Sequence, residues 1–349
     1  MDRFGTDATR FTLARNATPG SDEAISDEWA AGSRNFCNKL WNATRFALMN
    51  GAEPGAQIQV IDGNASISQN ERSLVLSPTD RWILSRLSEV NAEVDTLIEK
   101  FEFGKACEAL YHFAWDEFCD WYLELSKVPL NSAGQDGGDE EAATRTKLVL
   151  GYVLDHMLRL LHPVMPFVTD ELWCALTGEH SVMLAPWPNV EFTDHGARAQ
   201  VESLMRLVTE VRQFRSTQGV RPTQRVPARL VGLETTPLAA HEDEIRSLLR
   251  LTAPGGNGGD GFNTSASLLA EGVTVEIDLH GTVDVAAERK RLDKDLTAAR
   301  KEADQMTAKL ANEAFTAKAP AKVIEEARGR LATAQADIAR LESRIAGLS

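Results

Sequence analysis

Hydrophobic residues recur at helical spacing through the first half of the chain. From Ser26 to about Pro188 they return every three or four positions, which predicts a succession of amphipathic helices. A serine, a proline and an acid within Ser77–Asp80 predict the start of one helix. Its predicted core face comprises Trp82, Ile83, Leu87, Val90, Val94, Leu97 and Phe101. A second helix, near Gly104–Ser126, is predicted to bury Leu110, Tyr111, Ala114, Trp115, Phe118, Trp121, Tyr122 and Leu125.

The pattern changes on either side of this helical region. Residues 1–25 form a short mixed lead-in. After Pro188 the sequence predicts a small α/β subdomain, with helices at about 196–218 and 242–251 and strands at 225–230 and 272–280. The glycine-rich run 254–261 lacks the Lys and Ser/Thr of a phosphate-binding loop, and the carboxylate of Asp260 would repel phosphate. We therefore predict that this run is a flexible loop.

The C-terminal segment carries two heptad runs. The first consists of Leu292, Leu296, Ala299, Ala303, Met306 and Leu310, and the second of Ile324, Ala327, Leu331, Ala334, Ile338, Leu341, Ile345 and Leu348. This 3.5-residue repeat predicts helices that each turn one seam towards a partner. Pro320 lies in the break between the runs and would interrupt a continuous helix. The prediction is an antiparallel hairpin of two helices of about twenty residues each, roughly 30 Å long.

Together these patterns predict a mainly α protein with a helical bundle, a small α/β subdomain and a C-terminal antiparallel two-helix coiled coil. Charge is distributed unevenly over these parts. The chain has 37 basic and 51 acidic residues, whereas the segment from Glu288 onward has thirteen basic and ten acidic ones. A mildly cationic coiled coil on an acidic protein favours an anionic partner. From periodicity alone, a dimerisation or protein-interaction element is the more common interpretation of such a hairpin.

Composition argues against several classes of protein. No run of eighteen apolar residues could span a membrane and no early segment resembles a signal peptide, so we expect a soluble, cytoplasmic protein. The four cysteines have no paired spacing and lie within helical patterns, which predicts reduced core thiols; they are Cys37, Cys107, Cys119 and Cys174. The seven histidines are scattered without a metal-binding spacing, so no metal site is predicted.

One predicted helix has a polar face of unusual composition. The stretch is RNFCNKLWNATRF, residues 34–46, and successive residues of a helix are rotated by about 100°. This rotation places six polar side chains on one arc of about 140° of the helix surface: Arg34, Asn35, Asn38, Lys39, Asn42 and Arg45. Trp41 and Phe46 border this arc. Arg and Lys suit phosphate oxygens, Asn suits a base edge or ribose, and aromatic rings can stack on unpaired bases. A merely solvated face is the alternative, although each Asn costs about 0.5 kcal/mol relative to Ala in a helix.

Several segments resemble one family of enzymes. The loop between the heptad runs and its flanks, KLANEAFTAKAPAKVIEEARGRL, closely resemble the tip of the C-terminal arm of valyl-tRNA synthetases, in which Asn312, Phe315 and Lys318 stand at the positions seen here. RNFCNKLWNATRF resembles the opening helix of the anticodon-binding bundle in class I synthetases for branched aliphatic amino acids. LLHPVMPFVTDELW, residues 160–173, resembles a later helix pair of the same bundle.

Two further segments extend this resemblance over nearly the whole chain. RFGTDATRFTLA, residues 3–14, resembles the piece that follows the KMSKS loop, and VRQFRSTQGVRPTQRVP, residues 211–227, resembles the passage after the bundle. The resemblance implies four parts: a remnant after the KMSKS region at 1–25, an anticodon-binding domain at 26–190, the α/β subdomain at 191–282 and a tRNA-binding arm at 283–349. It implies tRNA contacts from the arc and its bordering aromatic residues, from Arg212 and Arg215, and from Asn312, Phe315 and Lys318.

The family's nucleotide-binding motifs are absent from this sequence. Nothing resembles the HIGH or KMSKS signatures, a Rossmann fold or an editing domain. We therefore expect no catalytic residue, metal site or cofactor here, and Met1 to be an internal methionine of a truncated chain. The resemblance implies that the full enzyme uses ATP with magnesium to join valine to its tRNA. The expected partners are valine tRNA and the catalytic and editing domains, with the protein a monomer.

Three alternatives remain open from the sequence. The chain could be a free-standing tRNA-binding relic, or the equivalent half of an isoleucine or leucine enzyme. The arm argues against this second alternative, because in the family an isoleucine enzyme is expected to end in a zinc-binding cysteine cluster and a leucine enzyme to lack the hairpin. A non-enzymatic coiled-coil module that binds RNA or another protein is the third.

Overall fold

The computed structural model describes residues 3–17, 20, 24–61, 64–134, 137–254, 262–279, 285–311 and 321–346. The helices are α1 (Thr6–Arg15), α2 (Asp27–Met49), α3 (Pro78–Glu99), α4 (Phe103–His112), a π-helix (Phe113–Tyr122), α5 (Leu123–Ser132), α6 (Glu140–Leu161), α7 (Pro166–Thr177), α8 (His195–Thr217), α9 (Glu242–Leu249), α10 (Val285–Ala311) and α11 (Ala321–Ala346). The strands are β1 (Gln57–Ile61), β2 (Asn64–Gln69), β3 (Arg72–Val75), β4 (Val226–Val231), β5 (Leu251–Thr252), β6 (Ala266–Ala270) and β7 (Val273–Ile277).

The chain packs into two compact units. The first consists of Met1–Glu210, Val231–Leu251 and Ala270–Val273, and the second of Val211–Leu230, Thr252–Leu269 and Thr274–Ser349. The first unit contains α1 to α7 and is mainly helical, as the sequence predicts. Within the part of the chain that the structure describes, no helix is long and apolar enough to cross a membrane.

Helix α1 belongs to the bundle, although its sequence reads only as a mixed lead-in. Its Phe11 is fully buried, with the ring centroid 5.0 Å from that of Phe36 in α2. The carboxylate of Asp7 accepts hydrogen bonds from the backbone N–H groups of Phe167 and Val168 at 3.2 and 2.6 Å. These donors lie in the first turn of α7, where helical N–H groups have no partner within the helix. Long-range contacts therefore fix a segment whose own pattern is weak.

Helix α3 begins where the sequence predicts. Ser77 and Asp80 form a capping box in which each side chain binds the other residue's backbone N–H. The buried Asp80 carboxylate also accepts from the Tyr122 hydroxyl at 2.9 Å and from Arg145 Nε at 2.8 Å. Burial and the neighbouring Asp80 charge raise the pKa of Tyr122 well above its ordinary value, so the hydroxyl stays protonated. The prediction that Phe101 belongs to the core face of this helix was wrong. Phe101 lies beyond the end of the helix, with φ of 59°, and is 75% exposed.

The second predicted helix is interrupted by a change of helical pitch. The segment near 104–126 comprises α4, the π-helix and the start of α5, and α5 continues through Pro129 to Ser132. A π-helix has i→i+5 hydrogen bonds, and its wider turn rotates the following residues relative to an α-helix. Phe118 and Tyr122 of the predicted stripe are nevertheless buried, and so is Phe113, which the predicted stripe did not include. Sequence periodicity could not distinguish this turn from an ordinary one.

A three-stranded antiparallel meander, β1–β2–β3, lies within the region that was predicted to be helical only. The prediction was wrong there: the strands are short, the turn between β2 and β3 carries no glycine, and the Asp62-Gly63 hairpin signal between β1 and β2 was overlooked. Gln69 pairs with Arg72, and the two turn residues Asn70 and Glu71 have φ of 49° and 68°. Such left-handed pairs form tight hairpin turns that usually contain glycine. The buried Ile67 of β2 anchors the sheet.

The small α/β region contains a four-stranded sheet with the order β5-β4-β7-β6. The sequence predicted β4, β7 and the helices α8 and α9, but not the two edge strands β5 and β6. Strand β5 has two residues, and β6 has an exposed face, so neither gives a hydrophobic pattern of useful length. Of the glycine run 254–261, residues 255–261 lie outside the described part of the chain, and the prediction of a loop stays a prediction.

Helices α10 and α11 pair with each other and have 27 and 26 residues, which is longer than the predicted twenty. Seam residues Leu296, Ala303, Met306 and Ala334 are buried. Ion pairs join the two helices on the outside: Arg300 Nη2 lies 2.6 Å from Glu342 Oε1, and Arg330 Nε donates to Glu302 Oε1 at 2.9 Å. At 1.5 Å per residue each helix is about 40 Å long. The predicted hairpin of helices is thereby confirmed.

Candidate nucleic-acid interface

The polar face of α2 is exposed over most of its length. Ser26 caps the helix by accepting a hydrogen bond from Trp29 N, and Phe36, Leu40, Ala43 and Ala47 bury the opposite side. The five exposed polar residues of the face are Arg34, Asn35, Asn38, Asn42 and Arg45. Trp41 is 46% exposed and is not a core residue. The predicted arc is therefore a real surface of the bundle, with donors, acceptors and an aromatic ring available.

A groove runs beside this face, between α2 and the π-helix with the start of α5. It has a volume of about 180 Å³ and is lined by Lys39, Asn42, Ala43, Phe46, Cys119, Leu123, Glu124 and Lys127. Phe46 is half-buried in the groove, and the Lys127 ammonium lies 5.7 Å from the centroid of its ring. The groove combines an aromatic surface with the amide of Asn42 and two cations, which suits an unpaired base and its phosphate.

The two lysines of the groove each have an acidic neighbour. Lys39 Nζ lies 2.5 Å from Asp120 Oδ1 and 4.8 Å from the centroid of the Trp115 ring. Lys127 Nζ lies 2.5 Å from Glu124 Oε1. Both pairs are partly exposed to solvent, and such surface pairs contribute only about 0–1 kcal/mol each. A phosphate group could therefore replace either carboxylate as the partner of the ammonium.

The cysteine of the groove is not activated as a nucleophile. Burial raises the pKa of the Cys119 thiol to about 12, so the nucleophilic thiolate is not formed at neutral pH. Burial likewise raises the pKa of Cys107 to about 12 and that of Cys37 to about 11. All four cysteines are free thiols, as the sequence predicts. The groove is thus suited to binding rather than to covalent chemistry.

Arg215, which was expected to contact tRNA, does not lie on the surface of the protein. The side chain is buried, with 5% exposure, and its Nη2 donates to the carbonyl oxygen of Gln224 at 2.6 Å. This hydrogen bond ties the end of α8 to the chain leading into β4, so the guanidinium is part of the fold. Arg212, one turn earlier on the same helix, is exposed. The repeated spacing of arginines did not show which of the two faces the interior.

The predicted contacts at the arm tip, Asn312, Phe315 and Lys318, lie outside the described residues. The sequence analysis also missed Lys127, which completes the groove. Its signal is weak, because a single lysine on another helix becomes a neighbour of α2 only through tertiary packing. Among the described residues, no group of three or more His, Cys, Asp or Glu side chains is arranged to hold a metal ion.

Comparison with known protein families gives matches to two parts of the chain. Residues 80–230 match the family described as the anticodon-binding domain of tRNA ligase, and residues 284–349 match the valyl tRNA synthetase tRNA binding arm. The valine–tRNA ligase of Streptomyces coelicolor is 52% identical over 346 residues, which are 99% of this chain and 37% of that protein. That of Nocardia farcinica is 49% identical over 347 residues, with the same two coverages. The chain thus spans little more than a third of the length of these relatives.

A solved structure, the ternary complex of an Agrobacterium radiobacter LeuRS with tRNA and LeuAMS, is similar over 61% of this chain and 26% of that one, with 20% identity and a TM-score of 0.38.

A helical anticodon-binding domain joined to a tRNA-binding arm defines the class of the protein as an aminoacyl-tRNA synthetase. Within that class, the chain belongs to the valine–tRNA ligase family and corresponds to its C-terminal part.

Proposed function

We propose that this chain binds valine tRNA, with the polar face of α2 and its groove holding the anticodon loop. The observation that carries the proposal is the groove itself. Asn42, Phe46 and Lys127 bring an amide, an aromatic ring and a cation together beside exposed Arg45. In this arrangement an unpaired base stacks on Phe46, the amide of Asn42 bonds to the base edge, and the cations neutralise flanking phosphates.

The coiled coil is the second proposed contact. Its two helices provide a stiff arm about 40 Å long, and its segment from Glu288 onward has a small excess of basic residues on an otherwise acidic protein. We propose that this arm packs against the outer corner of the L-shaped tRNA, with Asn312, Phe315 and Lys318 contributing at its tip. Several weak contacts spread over two sites would give affinity without a single strongly cationic patch.

In the proposed full enzyme, catalytic and editing domains join this portion, and the enzyme uses ATP with magnesium to activate valine and transfer it to tRNA. The energy of contacts far from the reacting atoms then orients the acceptor end of the tRNA for transfer. We propose that the enzyme acts as a monomer in the cytoplasm. The portion described here holds no catalytic residue or cofactor in this proposal.

A binding titration tests the proposal directly. The purified chain is titrated with valine tRNA and with an unrelated tRNA at low and at moderate salt. We expect a preference for valine tRNA and an affinity that falls with salt, because the neutralised phosphates release counterions. Equal binding of the two tRNAs would refute specific recognition. Valine-dependent exchange of pyrophosphate into ATP is expected to be absent, and measurable exchange would show that this portion carries an activation site.

The coiled-coil adaptor is the competing interpretation of the arm. An adaptor would pair its seam with a helix of another protein, whereas α10 and α11 already bury seam residues against each other. If the protein were such an adaptor, Asn42→Ala and Arg45→Ala would leave its partner binding unchanged. Loss of tRNA binding in either variant, with the fold retained, favours the tRNA interface.

A further inference from the structure

A second cavity, separate from the α2 groove, lies where the first turns of α3 and α6 meet α5 and the start of α9. Its volume is about 280 Å³. The lining has two chemically different sides. Its apolar side consists of Leu125, Val128, Pro129 and Ala142, and its carboxylates come from Asp80, Asp139, Asp243 and Glu244.

The charges of this cavity do not balance. Arg145 is the one basic side chain of the lining apart from a histidine, and its Nε donates to Asp80 at 2.8 Å. This pair leaves the carboxylates of Asp139, Asp243 and Glu244. Asp139 caps α6 by accepting from Ala142 N at 2.9 Å. The excess of negative charge favours a cationic ligand.

A buried histidine in the lining provides independent evidence for a ligand. His241 is 1% exposed, and within the described part of the chain neither of its ring nitrogens has a hydrogen-bond partner. The carboxylate of Glu244 lies close by, with Oε1 at 3.7 Å from Nδ1. Buried polar atoms in native proteins are almost always hydrogen-bonded. In its neutral form an imidazole ring offers one acceptor nitrogen and one donor nitrogen to a molecule in the cavity.

We propose that this cavity binds a small alkylammonium ligand. The ammonium group donates hydrogen bonds to Glu244, to Asp243 at the exposed mouth and to the acceptor nitrogen of His241. The alkyl part packs against Leu125 and the other apolar residues of the lining. This two-sided lining suits an organic cation, whereas a hydrated metal ion would gain nothing from the apolar side. Such a ligand would link α9 to the bundle helices α3, α5 and α6.

The test uses putrescine as the probe and the whole chain as the protein. Calorimetric titration is expected to give saturable binding with one site, while the uncharged analogue 1,4-butanediol and potassium chloride at equal ionic strength give none. Asp243→Asn and Glu244→Gln are each expected to weaken binding about tenfold, the value of one charge-assisted hydrogen bond. Glu242→Gln, on the same turn but outside the lining, serves as the matched control and should bind like the wild type. Equal binding in all three variants would overturn the proposal.

A second readout follows His241 itself. The ring proton resonances of His241 are expected to move with putrescine in proportion to occupancy and to stay in place with 1,4-butanediol. Because the measurement is made on the wild type, a folding defect cannot obscure it. Saturable binding with no movement of these resonances would locate the amine elsewhere and refute the cavity as its site. Neither result depends on tRNA binding, so this proposal and the proposed function can fail separately.

Discussion

Lys39 on the polar face of α2 and Asp120 on the π-helix form an ion pair, with Nζ and Oδ1 2.5 Å apart. The two side chains are 32% and 46% exposed, so solvent screens their attraction. Lys39 lines the groove, and its ammonium also lies 4.8 Å from the centroid of the Trp115 ring. In the proposed complex the Lys39 ammonium exchanges Asp120 for a phosphate oxygen. Asp120 would thus compete with the tRNA for the same cation.

Removal of this competitor should strengthen tRNA binding. We expect Asp120→Asn to raise the affinity for valine tRNA about two- to fivefold at low salt, the range set by an exposed ion pair. Asp116→Asn is the control, because it removes the same charge from the π-helix at a residue whose partner is His112 rather than Lys39. Fluorescence titration measures both. An equal gain in the two variants would mean that only the overall charge matters.

The amide of Asn42 should contribute to recognition of a base. We expect Asn42→Ala to weaken binding of valine tRNA about five- to tenfold, which corresponds to one hydrogen bond. Asn189→Ala, in an exposed loop outside the groove, is the matched control. Because Asn42 is exposed and alanine is favoured over asparagine in a helix, the variant should be at least as thermally stable as the wild type. Unchanged affinity would remove Asn42 from the proposed interface.

Arg45 should act through charge. We expect Arg45→Ala to weaken binding of valine tRNA and of other tRNAs by a similar factor, and to reduce the slope of log affinity against log salt by about one. Titrations at four or more salt concentrations measure this slope. A loss of selectivity with an unchanged slope would instead point to a base contact by Arg45.

Arg215 should matter for folding. We expect Arg215→Ala to lower the free energy of unfolding by about 1–3 kcal/mol, because it removes a buried donor from the Gln224 carbonyl. Arg212→Ala on the exposed side of α8 should cost less than about 0.5 kcal/mol. Urea unfolding monitored by circular dichroism compares the two. Equal stability of the two variants would contradict the buried role of Arg215.

Gly151 in α6 marks a close approach to the backbone at Glu53 and Pro54. A Cβ atom at Gly151 would collide with the carbonyl of Glu53, so we expect Gly151→Ala to destabilise the protein by at least about 1–3 kcal/mol. Gly32→Ala in α2 is the control, since nothing lies within 4 Å of its Cβ position. It should stabilise the protein by about 0.5–1 kcal/mol through helix propensity. Opposite signs of the two effects in thermal unfolding are the expected result.

The sequence predicted the bundle helices well where a helix cap or a clear division into polar and apolar faces marked the helix. The cap at Ser77 and Asp80 fixed the start of α3, and the polar arc of α2 was found on the surface. The failures have local causes. The turn at Asn70 and Glu71 lacks glycine, so its hairpin was hidden, and the π-helix has the same aromatic spacing as an α-helix would.

The candidate site shows the same limit. Side chains on α2 could be assigned to a face because helix geometry is local. Lys127 could not be assigned, since its place beside Phe46 depends on the packing of α5 against α2. Arg212 and Arg215 lie close in sequence and looked equivalent, yet one is exposed and the other is buried against Gln224.

By itself, therefore, the sequence determined the helical class, the paired heptad helices and the polar face that begins at Arg34, because each depends on periodicity within one element. Only the tertiary structure decided which cations line the groove, which arginine is buried, and that Asp80 and His241 meet at a cavity between helices distant in sequence. The physical reason is that burial and electrostatic pairing depend on neighbours in space, and those neighbours come from several separate segments of the chain.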